Sequence, residues 1–402
     1  MPTFKTLDDL DVAGKNVLVR VDFNVPMEDG RISDISRIER SIPTIEELAK
    51  RGARVVLISH LGRPNGTKVP SLSLEPVARP LTAMLHGRPV IFIEDCIGTA
   101  TQDAVTDLVD GDVALLENLR FHHGEETNSI EFASALAKLG DLYVNDAFSA
   151  SHREHASVEM VAHLLPSAAG RLMQAELENL SAALDNPKLP VAAIVGGAKV
   201  STKLSLLGNL MEKCELLAVG GGIANTFLHA LGVDVGTSLC EREATRHARD
   251  LLEKAKKLGC DVALPVDVAI EADLTAGADI KIVPVKRVPV DRMIMDLGPK
   301  TAEIICKQLE RYRTVIWNGP LGCFEVPPFD DATNTVAQKV AELTRAGKLF
   351  SVAGGGDTLA ALAHAGVADD FSYLTTAGGA FLEWLRGKTL PGIKALEESA
   401  SE

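Results

Sequence analysis

Short apolar segments rich in β-branched residues alternate with segments of helical period along the whole chain. The sequence predicts strands over 16–21, 54–59, 90–93, 112–116 and 141–144 in the first half, and over 191–195, 216–219, 261–264, 314–317 and 349–353 in the second. Helices are predicted between them, among others over 36–50, 130–138, 203–212, 243–257 and 331–345. Continuous apolar strands that alternate with helices are typical of parallel sheets covered on both faces. The predicted fold class is therefore α/β with mostly parallel sheets.

The chain of 402 residues is too long for one ordinary core and fits two domains. The boundary is predicted near a helical segment, 171–184, which ends at Asp185-Asn186-Pro187 before a new strand begins after Pro190. We therefore predict an N-terminal domain over 1–170, a connecting helix and hinge over 171–185, and a second domain over 186–385.

The composition and net charge disfavour several classes of protein. No run of about 18 uncharged apolar residues predicts a membrane span, and the N-terminus lacks the apolar region of an export signal, so a cytoplasmic protein is expected. The net charge of −14 disfavours nucleic acid as a partner, and an anionic substrate would need a local basic pocket. The six cysteines form no close pair in the sequence, which favours reduced and mostly buried thiols.

Glycine clusters follow four strands of the second half, at 196–197, 220–222, 354–356 and 378–379. Glycine lets the backbone approach a ligand, and a helix that starts there attracts phosphate. Asp357 or Thr358 is expected to cap the helix after the third cluster. Tight packing explains any single cluster equally well, but four clusters at neighbouring strand ends favour a nucleotide site. GxGxxG and Walker A signatures are absent from the sequence.

Lys199 and Lys203 lie four residues apart at a predicted helix start. They would share one helix face, where two cations can hold the oxygens of a transferring phosphate. A pair of solvated surface lysines is the alternative.

Basic side chains follow the strands of the first half. In a parallel sheet these strand ends lie at one edge, so the cations are expected to cluster there. One arginine alone is more often a solvated charge, but several at matching positions indicate a small polyanionic substrate held by bidentate contacts. The basic residues are Arg20, Arg37, His60, Arg63, Arg120 and Arg153. His122, His123, His152 and His155 have no cysteine or HExxH motif near them in the sequence, so non-metal roles are favoured.

Nine segments, in this order along nearly the whole chain, resemble the phosphoglycerate kinase family. They are VRVDFNVP at 19–26, SHLGRP at 59–64, LLENLRF at 115–121, VNDAF at 144–148, GGAKVSTKL at 196–204, GGGIANTFL at 220–228, DLGPKT at 296–301, WNGPLGCFE at 317–325 and GGGDT at 354–358. The resemblance implies two Rossmann-like domains, with segment 386–402 returning to the N-terminal domain. It also implies reversible phosphoryl transfer from 1,3-bisphosphoglycerate to ADP, which gives 3-phosphoglycerate and MgATP. A monomer is expected.

The resemblance also implies site residues. The phosphoglycerate site would comprise Asp22, Phe23, Asn24, Arg37, His60, Leu61, Gly62, Arg63, Arg120 and Arg153. The nucleotide site would comprise Lys199, Lys203, Gly221, Glu325, Gly355, Gly356, Asp357 and Thr358, with Asp357 near the nucleotide Mg²⁺. Three positions depart from the family pattern: Ser149-Ala150-Ser151 replaces Gly-Thr-Ala, Ala377 replaces a glycine, and Arg386 replaces an acidic residue.

The implied reaction needs no general base, because the accepting carboxylate is already ionised at neutral pH. Catalysis would come from alignment and from neutralising charge, with Arg37, Lys199, Lys203 and Mg²⁺ as candidates. Sites on separate domains predict hinge closure around 171–190. Two alternative classes share parts of this pattern: a two-domain solute-binding protein, which carries an export signal, and a nicotinamide dehydrogenase, which needs a dinucleotide fingerprint.

Overall fold

The computed structural model describes residues 4–28, 30–274, 277 and 280–401. The chain divides into two compact units. Unit 1 comprises Met1–Leu177 and Thr389–Glu402, and unit 2 comprises Glu178–Lys388.

Unit 1 contains a six-stranded sheet in which all neighbouring strands are parallel. Its order is β5-β6-β4-β1-β7-β8, and a short antiparallel hairpin, β2-β3, stands apart from it. The strands are β1 (Asn16–Arg20), β2 (Met27–Glu28), β3 (Arg31–Ile32), β4 (Arg54–Ile58), β5 (Val90–Ile93), β6 (Val113–Leu116), β7 (Leu142–Asn145) and β8 (Ser167–Ala169). The helices that begin in this half are α1 (Ser36–Lys50), α2 (Glu75–Met84), α3 (Thr99–Thr106), α4 (His123–Glu126), α5 (Ile130–Ala137), α6 (Val161–Leu164) and α7 (Arg171–Leu184).

Unit 2 repeats this architecture with a parallel sheet of order β11-β10-β9-β15-β16-β17. It adds a three-stranded antiparallel sheet of order β13-β12-β14. The strands are β9 (Val191–Val195), β10 (Leu216–Val219), β11 (Asp261–Ala263), β12 (Asp267–Glu271), β13 (Lys281–Pro284), β14 (Met293–Leu297), β15 (Thr314–Asn318), β16 (Phe350–Gly354) and β17 (Tyr373–Thr375). The helices are α8 (Leu204–Lys213), α9 (Gly221–Ala230), α10 (Thr245–Leu258), α11 (Pro299–Leu309), α12 (Asp331–Arg345), α13 (Gly356–His364) and α14 (Gly378–Leu385), and α15 (Pro391–Ala400) returns to unit 1.

The predicted α/β class with parallel sheets is confirmed. The helices predicted over 36–50, 171–184 and 331–345 have the observed bounds, and the ends of the other predicted helices differ from the observed ones by at most two residues. Predicted strand ends differ from the observed ones by at most one residue. The antiparallel sheet of unit 2 was not predicted. Its strand β13 is mostly exposed, so it lacks the continuous apolar run that marks a buried parallel strand.

Both parallel sheets are covered on both faces, and the cores are mostly aliphatic. Strand β9 shows the pattern: all five of its residues are buried. Full burial of one Val or Leu side chain contributes about 1.5–3 kcal/mol, so such strands fix the sheets firmly. Among the described residues no helix is both long and apolar enough to span a membrane. All six cysteines are free thiols.

Candidate active site

In unit 1, functional side chains follow the carboxyl ends of β1, β4, β6 and β7. The guanidinium of Arg20, at the end of β1, is almost fully buried and donates from Nη2 to His60 Nδ1 at 3.0 Å and from Nε to Ser157 Oγ at 2.9 Å. Burial, with Arg20, Arg120 and Arg153 nearby, holds the pKa of His60 well below its usual range. His60 is therefore a neutral acceptor inside a cationic cluster.

Arg120 carries the positive charge of this cluster deep into the protein, with 2% of its surface exposed. Its Nη1 donates to the carbonyl of Gly62 at 2.7 Å, and its Nε lies 3.4 Å from Glu126 Oε1. Neither Nε nor Nη2 makes a hydrogen bond within the described part of the chain. Burial and then Arg153 lower the pKa of Arg120 to about 10. The cluster therefore has excess positive charge and free donors.

Asp22 organises the other side of the cluster. Its carboxylate pairs with Arg37 Nη1, accepts the hydroxyl of Ser149, and accepts the backbone N–H of Asn24 at 3.0 Å. Burial, then Arg63, lowers the pKa of Arg153, whereas Asp22 raises it. The predicted arginines are thus brought to one edge of unit 1. Ser149, one of the departures from the family pattern, supplies a hydroxyl to this network.

The remaining predicted residues of unit 1 differ in how far their side chains are exposed. The side chains of Phe23 and Leu61 belong to the hydrophobic core, so only their backbone faces polar groups. Phe23 N donates to Ser59 Oγ at 2.8 Å, and Asn24 Oδ1 accepts from Gly62 N at 2.9 Å. These bonds tie the loops after β1 and β4 together. Arg63 is exposed.

Sequence reasoning missed the buried residues that support the cluster. Glu125 is fully buried and accepts from Ser157 Oγ at 2.6 Å and from Ser157 N at 2.9 Å, while Ser157 accepts from Arg20. Burial and the neighbouring arginines lower the pKa of His155 to about 3. No signal in the sequence links Glu125 to Ser157, because these residues are 32 positions apart and belong to no motif.

In unit 2, the glycine clusters separate into two groups. A Cβ on Gly196 would lie 1.6 Å from the carbonyl oxygen of Pro320, and one on Gly222 would lie 2.1 Å from that of Ala198. These glycines let neighbouring turns pack against each other. A Cβ on Gly356 would meet nothing within 4 Å, and one on Gly378 only Gly355 Cα at 4.0 Å. Open space therefore lies beside the first residues of α13 and α14, whereas Gly354 in the same turn packs against Thr375 and Phe381.

The expected side-chain cap of α13 is wrong. The N-cap residue is Gly355, with φ of +103°, and no side chain caps the helix. Asp357 is exposed, and the hydroxyl of Thr358 is turned inward, donating to the carbonyl of Gly354 at 2.9 Å. By contrast, the N–H groups at the start of α9 are bound by carbonyls of other backbone segments. Gly221 N donates to Leu321 O at 3.0 Å, and Ile223 N donates to Gly197 O at 3.1 Å. Of these two helix starts, that of α13 is the one with open space beside its first residue.

The predicted lysine pair on one helix face is also wrong. Helix α8 begins at Leu204, after a 3₁₀ turn over Ser201–Lys203, so Lys199 and Lys203 precede it. Lys203 Nζ donates to Gly196 O and to Asn318 Oδ1, both at 2.7 Å, and burial lowers its pKa to about 8, opposed by Asp357. Lys199 is exposed. The pKa of Glu241 lies below its usual range, because burial, which raises it, is outweighed by hydrogen bonds from Ser201 and by the charge of Lys199.

The remaining predicted positions of unit 2 are also described. Glu325 is exposed in the loop after β15. Ala377 is the N-cap residue of α14, with φ of −84°, so this backbone does not require the family's glycine. Arg386 pairs with Glu383 at 2.6 Å and donates to the carbonyl of Thr202 at 3.1 Å. This departure therefore joins the end of α14 to the turn before α8.

One group of potential metal ligands lies in unit 1, where Asp95, Cys96 and His122 place their ligand atoms within 4.8 Å of one another. The tertiary structure thus brings a cysteine to His122, which the sequence did not indicate. Asp95 Oδ1 accepts from His122 Nε2 and from the backbone N–H of Cys96, both at 2.7 Å. Burial and then Asp95 raise the pKa of the Cys96 thiol well above its usual range, which disfavours the thiolate that zinc requires.

Two parallel α/β units, one with clustered arginines and one with open glycine turns at the carboxyl ends of its strands, are typical of a two-unit phosphotransferase. The sequence model of phosphoglycerate kinase matches residues 7–388. The chain is similar to the phosphoglycerate kinases of Rhizobium meliloti, at 57% identity over 98% of this chain and 99% of the relative, and of Caulobacter vibrioides, at 56% over 98% and 100%.

Solved structures agree with these relatives. The phosphoglycerate kinase structure from Coxiella burnetii has a TM-score of 0.92 and 42% identity, covering 99% of this chain and 100% of that one. That from Pyrococcus horikoshii has a TM-score of 0.81 and 32% identity, covering 99% of each. The chain belongs to the phosphoglycerate kinase family. Its activity is reversible phosphoryl transfer between 1,3-bisphosphoglycerate and ADP, giving 3-phosphoglycerate and ATP in glycolysis. The solute-binding and dehydrogenase alternatives are thereby set aside.

Proposed function

We propose that unit 1 binds the phosphoglycerate and that unit 2 binds the nucleotide. The observation that carries this proposal is the buried guanidinium of Arg120, which keeps free donors among other cations. Buried charge is destabilising unless it is compensated, and Glu126 approaches only Nε of Arg120, at 3.4 Å, so this cluster favours a polyanionic ligand. The domain roles follow: residues 1–170 form the phosphoglycerate-binding domain, 171–185 the connecting helix and hinge, 186–385 the nucleotide-binding domain, and 386–402 the returning segment.

The phosphoglycerate site is proposed to use the residues at the carboxyl edge of the unit 1 sheet. Arg63, Arg120 and Arg153 bind phosphate and carboxylate oxygens, since a planar guanidinium offers paired donors. Asp22 and Asn24 hold the loops and orient Arg37. His60 and Gly62 contribute positioning, and Phe23 and Leu61 contribute only backbone groups.

The nucleotide site is proposed at the open turn of unit 2. The uncapped start of α13 offers backbone N–H groups and the positive end of the helix dipole to phosphates. Lys203, fixed by Gly196 and Asn318, supplies a positive charge beside Asp357. The full set is Lys199, Lys203, Gly221, Glu325, Gly355, Gly356, Asp357 and Thr358.

The donor set of unit 2 fits Mg²⁺. Asp357 is an exposed carboxylate in the first turn of α13, and Mg²⁺ prefers one or two carboxylate oxygens together with substrate phosphates. We propose that Asp357 holds the metal of the bound nucleotide. When bound, the ion would neutralise part of the negative charge of the phosphates.

The proposed chemistry is direct in-line transfer. The carboxylate of 3-phosphoglycerate is ionised and attacks the terminal phosphorus of ATP, the bond from that phosphorus to the bridging oxygen breaks, and ADP leaves. The chain need only align the reactants and neutralise charge. Alignment contributes roughly 7–11 kcal/mol in favourable cases. Arg37, Lys199 and Lys203 are the proposed catalytic cations. Closure of the two domains around a hinge stays a prediction, as do a monomeric state and a cytoplasmic location.

Separate ligand titrations test the division between the units. Calorimetry with 3-phosphoglycerate and with MgADP is run on the wild type, Arg153→Ala and Lys203→Met. We expect Arg153→Ala to weaken 3-phosphoglycerate binding by about tenfold or more and to leave ADP binding unchanged, and Lys203→Met to do the reverse. Arg79→Ala, which changes an exposed arginine of unit 1, is the control. If one folded variant weakens both ligands equally, the assignment is wrong.

A further inference from the structure

Two cysteines of unit 2 lie in direct contact. Cys214 Sγ and Cys260 Sγ are 3.8 Å apart, and both residues are buried. They are 46 positions apart in the chain, so the fold alone brings them together. The proposed reaction uses neither of them.

The backbone places both residues at the amino-terminal ends of adjacent strands. Strands β10 and β11 are parallel, with Leu216 opposite Asp261, so Cys260 directly precedes the first paired residue of β11 and Cys214 lies two residues before that of β10. Neighbouring strands lie about 4.8 Å apart. A disulfide spans a Cα separation of roughly 4.4–6.8 Å, which is wide enough for cysteines on neighbouring strands that are offset by one residue. Side-chain rotation can therefore bring the sulfurs together without moving the sheet.

The pair lies just beneath the surface. Gly259 ends α10 with a left-handed φ of +75°, and Leu258, Gly259 and Asp261 around Cys260 are exposed. Glu215, next to Cys214, is exposed as well. A local opening of this turn is enough to admit a small oxidant, since short surface turns open at low free energy.

We propose that Cys214 and Cys260 are a dithiol that a hydroperoxide converts to a reversible intramolecular disulfide. The Cys260 thiolate attacks the peroxide, the O–O bond breaks, and Cys260 becomes a sulfenic acid while water or an alcohol leaves. The Cys214 sulfur then attacks the Cys260 sulfur, an S–S bond forms, and the sulfenic oxygen leaves as water. Two thiols are oxidised by two electrons and one peroxide is reduced.

The contact between the sulfurs favours this order of events. The contact with the Cys214 sulfur lowers the pKa of Cys260, whereas the same contact and burial raise the pKa of Cys214. Cys260 is thus the first thiol to ionise, and Cys214 is placed to resolve it.

The disulfide would link β10 to the edge strand β11 at the end of the sheet opposite to the glycine turns. A covalent link between distant positions restricts the unfolded chain and stabilises the folded one. Oxidation is therefore expected to stabilise unit 2 while nucleotide binding stays unchanged.

The experiment treats the reduced full-length protein with hydrogen peroxide and follows it by peptide mass spectrometry and by thiol titration after denaturation. We expect a cross-linked peptide joining Cys214 to Cys260, a fall from six titratable thiols to four, and full reversal by dithiothreitol. The thermal midpoint should rise by roughly 4 °C or more on oxidation. ADP affinity should not change.

Three variants keep the test decisive. Cys306→Ser, which removes a thiol whose sulfur contacts Thr335 O, should behave as the wild type, whereas Cys214→Ser and Cys260→Ser should lose both the cross-link and the rise in midpoint. The midpoints of the reduced variants show whether each one folds. If peroxide oxidises Cys306 in the wild type while Cys214 and Cys260 stay unlinked, the proposal is wrong. A cross-link with an unchanged midpoint would contradict the stabilising role.

Discussion

The carboxyl edges of the two parallel sheets carry different chemical groups. Unit 1 gathers charged side chains, with Arg20 and Arg120 buried and Asp22 linking Arg37 to Ser149. Unit 2 relies on backbone, with an uncapped helix start at Gly356 and one partly buried lysine, Lys203. The same topology therefore supports either a side-chain site or a backbone site.

The difference shows what each kind of site requires of the rest of the protein. Side-chain cations placed together depress one another's pKa, as His60 and Arg120 show, and need buried acids such as Glu125 to hold them. A backbone site needs close approach of turns instead, which only residues without a Cβ allow, as at Gly196. The site in unit 1 is thus expected to be sensitive to changes in side-chain charge, and the site in unit 2 to added side-chain volume.

The largest effect is expected from adding one methyl group to unit 2. In Gly196→Ala the new Cβ would lie 1.6 Å from the carbonyl oxygen of Pro320, so the backbone must shift. We expect destabilisation on the order of 4 kcal/mol or more and loss of ADP binding. Denaturant unfolding and calorimetry measure both.

Gly356→Ala is the matched control for this prediction. Its Cβ meets nothing within 4 Å, so the stability should stay within about 0.5 kcal/mol of the wild type, whereas the methyl group enters the proposed phosphate space and weakens ADP binding. Equal destabilisation by the two alanines would show that the two groups of glycines do not differ.

A charge deletion in unit 1 is expected to act on turnover. Arg37 is the partly exposed partner of Asp22, so Arg37→Ala should leave the fold intact and remove a cation from the transferring phosphate. We expect kcat to fall about 10²–10³-fold, with the dissociation constant of ADP unchanged. Steady-state kinetics with a separate ADP titration checks this. Unchanged turnover would remove Arg37 from the catalytic group.

The smallest effect is a pH dependence in unit 2. Burial lowers the pKa of Lys203 to about 8, so its charge is present below pH 8 and is lost above it. Because phosphates bind the charged form, ADP affinity should fall by at most about tenfold per pH unit above 8. Calorimetry from pH 7 to 9.5 measures this fall. Lys203→Arg keeps its charge throughout this range, so the fall in ADP affinity should disappear. A pH profile of Lys203→Met identical to that of the wild type would contradict the assignment.

Sequence patterns located most of the fold and the outline of the site. Continuous apolar strands such as β9 predicted parallel sheets, and the nine ordered segments indicated the family. The sequence did not predict the role of a residue where that role depends on contacts with distant positions in the chain. The glycine at 196 and the glycine at 356 look alike in the sequence, yet one packs against Pro320 and the other faces open space. The missing cap of α13 and the position of Lys203 before α8 were likewise decided by packing.

The sequence by itself determined the α/β class, the placement of cations in one half and glycines in the other, and the family, because apolar periodicity and ordered motifs are local properties of the chain. Tertiary structure alone decided which groups meet: Glu125 with Ser157, Ser149 with Asp22, and Cys214 with Cys260. The physical reason is that burial and contact are set by every element packed around a residue. Those elements come from positions that no local pattern connects.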